Sequence, residues 1–358
     1  MKIAMVAGHA CIRVQKMALP LLEKGHTVHL LAHKRPVFWE HYDSFMQAAS
    51  TRQFLEAFKV YEDKVDLFHC HNEPSWFVTA LKEITKKPVI LDVHDSWLSR
   101  MTQDELQFER EKNKDTEAFR ISVEERNNFQ LADGLVFVSK PHSDIVTKEF
   151  DLLQPNLILP SYVPNFAYSY QAGTSQWLGG VIYEGRVDIP DETKNGSKWH
   201  GFRYCVYLDL AKKFKEKGIP FHLYPGRDLS LDQKFIDTYG QYAILHQAKE
   251  YSKLLNSICV HDWGLVGNLD YSPNWEVALP NKFFEYIAAM VPVVSMNASG
   301  VSDIIKEHGI GISVSSVEEL MDRWMEHEQC RKALPRARHF FSMDNHINEL
   351  ETFYRQFI

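Results

Sequence analysis

Several features that mark particular protein classes are absent from this sequence of 358 residues. No apolar run approaches the roughly 20 residues that a membrane-spanning helix needs, and the stretch before Gly8 is too short for a secretory leader. The five cysteines are scattered and form no Cys-x-x-Cys pair, which argues against a disulfide framework and a zinc site. These absences predict a protein of the reducing cytoplasm.

The sequence also lacks a surplus of positive charge. Lys and Arg number 40 against 47 Asp and Glu, giving a formal net charge of −7. Proteins that bind nucleic-acid phosphate carry a basic surplus, so nucleic acid is disfavoured as a partner. No Gly-x-Gly-x-x-Gly follows the first apolar run, where Gly8-His9-Ala10 stands, which weakens a nicotinamide-dehydrogenase interpretation.

What the sequence does contain is a repeated alternation of strand and helix patterns. Lys2–Ala7 is a buried apolar run, a helical pattern of apolar residues follows, and Thr27–Ala32 is the next strand. Strand, helix and strand in so short a stretch predict a βαβ unit with parallel strands. The same alternation gives about six strands before residue 160 and restarts after residue 180. The length favours two domains.

We therefore expect an α/β protein of two tandem, doubly wound, Rossmann-like domains. The expected bounds are 1–165 for the first domain and 166–335 for the second, with a C-terminal helix over 336–358 that packs back on the first domain. Tandem domains of this kind bind a ligand in the cleft between them, at the carboxyl ends of both sheets.

One segment carries specific chemistry, namely Leu279-Pro280-Asn281-Lys282 and the helical pattern that follows it. Proline suits the first turn of a helix, where free backbone N–H groups and the helix dipole favour a diphosphate. Glu285 lies one turn inside this helix on the same face as Asn281, so its carboxylate is placed to accept two ribose hydroxyl hydrogens. From spacing alone, a solvated glutamate on an amphipathic helix is the competing interpretation.

This segment closely resembles the nucleotide-sugar motif of GT-B glycosyltransferases, in particular the retaining family four. In that family a Pro-Asn-Lys turn leads into a helix with glutamate and then a Pro-Val-Val strand, as at Pro292-Val293-Val294 here. Tyr183-Glu184-Gly185-Arg186 resembles the strand that ends in a phosphate-contacting arginine. Looser matches in the first half are Gly8-His9, His69-Cys70-His71 and Val93-His94-Asp95.

The resemblance implies a role for each matching residue. Glu285 would bind the donor ribose, while backbone N–H groups near the turn Leu279-Pro280-Asn281-Lys282 would hold the diphosphate; Pro280 itself has no N–H. Arg186 would neutralise the leaving phosphates, with Lys198 or Lys194 as a second cation. In the first domain, His94 would face the transferred sugar, and Gly8, with His9 beside it, would permit close backbone approach. Fixed charges would replace a metal ion, and the sequence has no Asp-x-Asp triplet of the kind that holds one.

Three departures from the family pattern stand out. Glu276 and Glu285 are separated by eight residues where the family often has seven, so Glu276 is not expected to inherit the first glutamate's role. Met290 stands where a helix-ending glycine is common. The polar stretch Val187–His200 is longer than a simple strand-to-helix turn, which leaves the second cation undecided. The stretch itself is either an element of donor or acceptor specificity or a surface loop.

The histidines allow two interpretations. His69 and His71 alternate on one strand face but lack a third metal ligand at fixed spacing, so a packed or hydrogen-bonded pair is favoured over metal binding. His94-Asp95 at a strand end is either an acid–base pair or structural.

We therefore expect a hexosyltransferase-type glycosyltransferase that moves sugar from a UDP- or GDP-type donor to a hydroxyl acceptor, with retention and without cofactor or metal. By resemblance, polysaccharide or glycolipid biosynthesis is the expected process, and peripheral contact with the inner face of the membrane stays open. The alternatives are a nucleotide-sugar 2-epimerase and a non-catalytic GT-B sugar-binding subunit.

Overall fold

The computed structural model describes residues 1–71, 76–100, 107, 117–167, 176–190, 205–270 and 272–358. The chain divides into two compact units, one of Met1–Pro164 with Met343–Ile358 and one of Asn165–Ser342. Each unit is built on a parallel sheet with helices on it. The predicted α/β class with two Rossmann-like domains is thereby confirmed.

The first unit contains a seven-stranded sheet of order β3-β2-β1-β4-β5-β6-β7. Every pairing in it is parallel. Parallel strands are covered on both faces, which explains why the central strands read as continuous apolar runs. The strands are β1 (Lys2–Ala7), β2 (Thr27–Ala32), β3 (Ser44–Gln47), β4 (Leu67–His71), β5 (Val89–Val93), β6 (Gly134–Phe137) and β7 (Asn156–Ile158).

The helices of the first unit follow the strands in alternation. The charged stretch Thr102–Leu131 has an amphipathic pattern that predicts a helix, and the structure describes this stretch at residue 107 and from residue 117 onward. The helices are α1 (Ile12–Glu23), α2 (Thr51–Glu62), α3 (Phe77–Ile84), α4 (Trp97–Arg100), α5 (Glu117–Leu131), α6 (Lys140–Glu149) and, at the end of the chain, α15 (Met343–Tyr354).

The C-terminal helix belongs to the core of the first unit. Met343, Ile347, Leu350 and Phe353 are buried in one cluster with apolar residues of β1, β2 and α1, and the Met343 amide donates to the Val163 carbonyl at 3.2 Å. The chain therefore crosses at residues 342–343, a few residues after the expected boundary at 335–336. That expected boundary falls inside a continuous helix, α14, which contains Pro335 without ending there.

The second unit contains a six-stranded parallel sheet of order β10-β9-β8-β11-β12-β13. Its strands are β8 (Val181–Glu184), β9 (Phe221–Tyr224), β10 (Ile244–Leu245), β11 (Trp263–Gly267), β12 (Val293–Met296) and β13 (Gly311–Val314). Its helices are α7 (Leu208–Glu216), α8 (Gln233–Tyr239), α9 (Tyr251–Ile258), α10 (Asn274–Val277), α11 (Asn281–Ala288), α12 (Ser299–His308), α13 (Val317–Asp322) and α14 (Glu326–Phe340).

The sequence patterns missed a few short elements. The estimate of six strands in the first half omitted β3, a four-residue edge strand with no fully buried residue, and the two-residue edge strand β10 was omitted from the second half. None of the helices in the described ranges is both long enough and apolar enough to cross a membrane.

Met290 ends α11 in the left-handed conformation that the family usually gives to glycine. Its φ is 60°, its amide donates to the Ile287 carbonyl at 3.1 Å, and its own carbonyl accepts from Arg331 Nη1 at 2.5 Å. The absence of glycine therefore did not remove the left-handed cap, because these hydrogen bonds hold the backbone in it.

The strain at Met290 can be measured with a pair of substitutions. Met290→Gly and Met290→Ala remove the same side chain beyond Cβ, but only alanine keeps the Cβ that opposes a positive φ. We expect the glycine variant to be more stable than the alanine variant by about 1 kcal/mol in urea unfolding. Equal stabilities would show that the backbone relaxes out of the left-handed region.

Candidate functional site

In the second unit, the carboxyl end of β8 carries the predicted arginine. Gly185 follows the strand with a φ of 117°, a conformation that favours glycine, and Arg186 comes next. The Arg186 side chain is 52% exposed and pairs through Nε with both oxygens of Asp188, at 2.9 Å each. Arg186 is thus positioned at a strand end with part of its charge already balanced.

Lys282 brings a second positive charge to the same strand end. A Cβ placed on Gly185 would lie 3.3 Å from Lys282 Nζ and 3.4 Å from its Cε. The ammonium also lies 4.9 Å from the ring centroid of Tyr183, a cation–π distance, and Tyr183 donates its hydroxyl to the Arg186 carbonyl at 3.2 Å. Within the described ranges Lys282 has no carboxylate partner.

The helix α11 begins as its sequence predicted. Pro280 is the capping residue, with φ −70° and ψ 152°, and its carbonyl accepts from the Phe283 amide at 3.1 Å. Leu279 is buried before it, while Asn281 and Lys282 form the first, half-buried turn. Glu285 lies one turn further along and is only 3% exposed. A solvated glutamate, the competing interpretation, is therefore wrong.

A cavity of about 660 Å³ lies beside Arg186, within the usual size range of small-molecule sites. Its lining includes Arg227, which sequence reasoning missed. Arg227 pairs with Asp232 at 2.6 Å and donates to the Val187 carbonyl at 2.7 Å. A signal was present: β8 and β9 are adjacent parallel strands, and each is followed closely by a Gly-Arg pair, which puts both arginines at one sheet edge.

Two further residues considered for the donor site are Lys198 and Glu276. Lys198 and its alternative Lys194 lie outside the described residues. Glu276 is exposed and lines a different cavity of about 480 Å³ at the carboxyl ends of β12 and β13. That second cavity is rich in hydroxyl groups, contributed by Ser295, Ser299, Ser302, Ser313 and Ser315.

In the first unit, Gly8 and His9 follow β1 at its carboxyl end. The Gly8 carbonyl accepts from the His33 amide at 3.1 Å, and the His9 carbonyl accepts from the Cys11 amide at 2.7 Å. His9 is exposed, and its ring meets that of His33 edge-on with centroids 6.0 Å apart. These contacts fix the turn that leads into α1.

His94 directly follows β5, and its ring contacts Asp92. His94 Nδ1 lies 3.0 Å from Asp92 Oδ2, while Asp95 pairs with Arg100 at 3.0 Å. Residues two apart along an extended chain share a side, which explains the Asp92 contact. The acid–base pairing of His94 with Asp95 stays a prediction, and Arg100 of α4 also engages that carboxylate.

Asp92 is the centre of a buried charge network. Arg13 from α1 contacts it through Nη2 at 2.6 Å and Nε at 2.9 and 3.0 Å, and both side chains are fully buried. His71 Nδ1 lies 3.1 Å from the same Oδ2 that His94 contacts. Burial of Asp92 opposes its ionisation, but the Arg13 charge and the two histidine hydrogen bonds outweigh it and hold the pKa of Asp92 well below its usual range.

The pKa values of the two histidines that contact Asp92 are shifted in opposite directions. Burial lowers the pKa of His71 despite its hydrogen bond to Asp92. Burial also opposes the charge of His94, but the hydrogen bond to Asp92 and the negative charges of Asp92 and Asp95 outweigh it and raise the pKa of His94. The pKa shifts of His71 and His94 thus have opposite signs.

The trio His71, Asp92 and His94 has the composition of a metal site, since one ligand atom from each lies within 4.8 Å of the others. The trio contains His71 but not His69, which contacts Tyr354 and stacks on His71, as expected for a packed or hydrogen-bonded pair. The Arg13 guanidinium already supplies the positive charge against Asp92, however, and a second cation there would face it directly. The arrangement fits a hydrogen-bonded network better than a metal centre.

Two family models match this chain, one in each unit. Residues 12–156 match the model described as Glycosyltransferase Family 4, and residues 209–342 match the one described as Glucosyltransferase 3-like, C-terminal domain. No curated protein gives a significant sequence match.

Solved structures with low sequence identity share the fold over nearly the whole chain. Sucrose-phosphate synthase from Thermosynechococcus elongatus is 14% identical with a TM-score of 0.68, with 99% of each chain covered. HepE from Anabaena, solved with UDP-glucose, is 11% identical with a TM-score of 0.64, with 98% of this chain and 99% of that chain covered. Trehalose 6-phosphate synthase from Burkholderia multivorans is 10% identical with a TM-score of 0.63, with 99% and 98% covered. Together with the two family matches, these likenesses confirm the resemblance seen in the motifs: the chain has the fold of GT-B glycosyltransferases, and it is similar to family four over residues 12–156.

Proposed function

We propose that the protein transfers a hexosyl group from a nucleoside-diphosphate sugar to a hydroxyl acceptor, with retention and without a metal ion. The observation that carries this proposal is the convergence of Lys282 and Arg186 at the carboxyl end of β8, beside the N-terminus of α11. A diphosphate is the ligand that two cations and the N-terminus of a helix suit.

Different residues of the donor site bind the diphosphate and the ribose of the nucleotide. The first-turn amides of α11, from Asn281 onward, hold the diphosphate with Lys282 and Arg186. Glu285 accepts hydrogen bonds from the ribose hydroxyls, because its carboxylate lies one turn further along the same helix. UDP is the first nucleotide to test, since HepE was solved with UDP-glucose and a DNA-bound α-glucosyltransferase of the same fold was solved with UDP.

The chemical step needs charge stabilisation at the leaving group. The bond from the sugar C1 to the β-phosphate oxygen breaks with both electrons departing on the diphosphate. The acceptor oxygen bonds to C1, and its proton passes to the departing phosphate. Negative charge therefore develops on the diphosphate, where Lys282 and Arg186 lie, and fixed cations aimed at developing charge are an effective form of catalysis. His94 of the first unit contacts the transferred sugar.

Calorimetric titration with UDP, GDP, ADP and CMP in EDTA tests this proposal. We expect one diphosphate to bind with micromolar affinity, and Glu285→Gln to weaken that binding by about 10- to 100-fold, since hydrogen bonds to a charged group contribute about 1.5–3 kcal/mol. Glu307→Gln, at an exposed site on α12, is the matched control and should bind as the wild type does. No binding of any of the four, or equal binding by the Glu285 variant, would contradict the donor site.

A further inference from the structure

One oxygen atom of Asp92 contacts two histidines, and only one of these two histidines reaches solvent. His71 is buried with 1% of its side chain exposed, whereas 19% of the His94 side chain is exposed. Asp92 itself is held by Arg13 through three contacts of 2.6–3.0 Å, and Arg13 is held in turn by Ser161 Oγ at 3.0 Å. The carboxylate therefore has a fixed position from which it orients the His94 ring.

We propose that Asp92 is a positioning residue for the transfer reaction, fixing the orientation of the His94 ring and the tautomer in which Nδ1 carries a hydrogen. This inference rests on the proposed function, in which His94 contacts the transferred sugar.

The hydrogen bond decides which ring nitrogen acts on the substrate. With Nδ1–H donating to Asp92, a substrate contact is made through Nε2. In a neutral ring Nε2 would carry a lone pair and accept, whereas in the imidazolium it carries a hydrogen and donates to a sugar hydroxyl or a phosphate oxygen. The charge state of His94 thus decides whether Nε2 accepts a hydrogen bond from the substrate or donates one to it.

The groups around His94 favour the charged form. Asp92 contacts the ring directly and Asp95 adds a second negative charge, while Arg13 and His71 also contact the Asp92 carboxylate. Arg100 and His142 act against the charge of Asp95, and Arg13 opposes the charge of His94. The balance raises the pKa of His94, so the imidazolium persists to higher pH than in an isolated histidine.

Asp92→Asn tests the proposal. The amide keeps the size of the side chain but removes the charge, so the pKa of His94 should fall and the alkaline limb of the rate profile should move to lower pH. With UDP-glucose as donor and water as acceptor, we expect kcat for UDP release to fall by about tenfold or more, with KM within threefold. Histidine ring NMR, assigned with His94→Gln, reads the pKa of His94 without reference to catalysis.

A second variant separates positioning from folding. Asp92→Asn leaves Arg13 charged and buried without its partner, which costs stability. Arg13→Met with Asp92→Asn removes both charges, so it should recover stability while His94 still lacks its carboxylate. We expect the double variant to retain the low kcat and the shifted pH limb.

The outcomes are distinct. Recovery of kcat together with stability in the double variant, or a His94 pKa that is unchanged in Asp92→Asn, would overturn the positioning role alone. Failure of the wild type to bind any nucleotide would overturn the proposed function, and the role of Asp92 in transfer with it.

Discussion

Replacement of Lys282 by methionine is expected to lower kcat for UDP release from UDP-glucose by about 100- to 1,000-fold, the usual effect of losing one fixed donor at developing negative charge. Two features single out this side chain. Its ammonium lies beside Gly185, 3.3 Å from where a Cβ would stand, and within the described parts of the chain it has no carboxylate partner, whereas Arg186 shares its charge with Asp188. An unshared cation responds most strongly to a charge that appears during the reaction.

The position of Lys282 is built into the strand end. The Tyr183 ring supports the ammonium at 4.9 Å, and the buried Tyr183 side chain also anchors the Arg186 backbone through its hydroxyl. Methionine preserves the length and packing of the lysine stem and removes only the charge. The variant should therefore fold normally and lose rate.

The matched control for Lys282→Met is Lys306→Met, which removes one exposed lysine from α12 in the same unit. We expect its kcat to stay within twofold of the wild type, while Lys282→Arg retains charge and keeps part of the rate. A Lys282→Met enzyme within threefold of the wild-type kcat would show that the leaving-group cation is elsewhere.

The sequence predicted most of the fold because its central strands are unusually easy to recognise. β1, β5 and β11 are apolar runs bounded by glycine, proline or charge, as expected for strands buried on both faces. The missed helix α2 carried a readable pattern, with Phe54, Ala57, Phe58 and Tyr61 all buried at helical spacing. The missed edge strands had no such signal, since they are short and half-exposed.

The candidate site was predictable in part for a similar reason. The start of α11 and the Gly-Arg pair after β8 are local motifs, and local motifs are visible in a sequence. The Asp92–His94 contact obeys the two-residue alternation of an extended chain, so it too could have been predicted. The approach of Lys282 to Gly185 could not, because it depends on which strand of the sheet lies beside α11.

In the second unit, the end of strand β11 has no room for a side chain at Gly267. It is the last residue of β11 and stands opposite Met296 of β12 in the parallel register. Its φ is 98°, and a Cβ there would lie 1.9 Å from the Met296 carbonyl oxygen and 2.9 Å from its carbonyl carbon. Both atoms belong to the backbone, so no side-chain rotation can relieve the overlap.

Gly267→Ala is therefore expected to destabilise the protein by at least about 4 kcal/mol, at the upper end of single-substitution effects, and to lower the melting temperature by on the order of 10 °C. Gly218→Ala is the matched control. Gly218 follows α7 with a φ of 70° and has open space where its Cβ would stand, so alanine there meets only the backbone penalty of about 1–2 kcal/mol.

Calorimetric melting of the two alanine variants separates steric overlap from backbone strain, because both residues have positive φ and only Gly267 faces another strand. Equal losses at the two sites would mean that β11 and β12 can move apart at no cost. A much larger loss at Gly267 would show that the sheet is rigid at this edge. The chain that leaves this strand end passes through α10 before it enters α11, so a rigid edge would also fix where α11 begins.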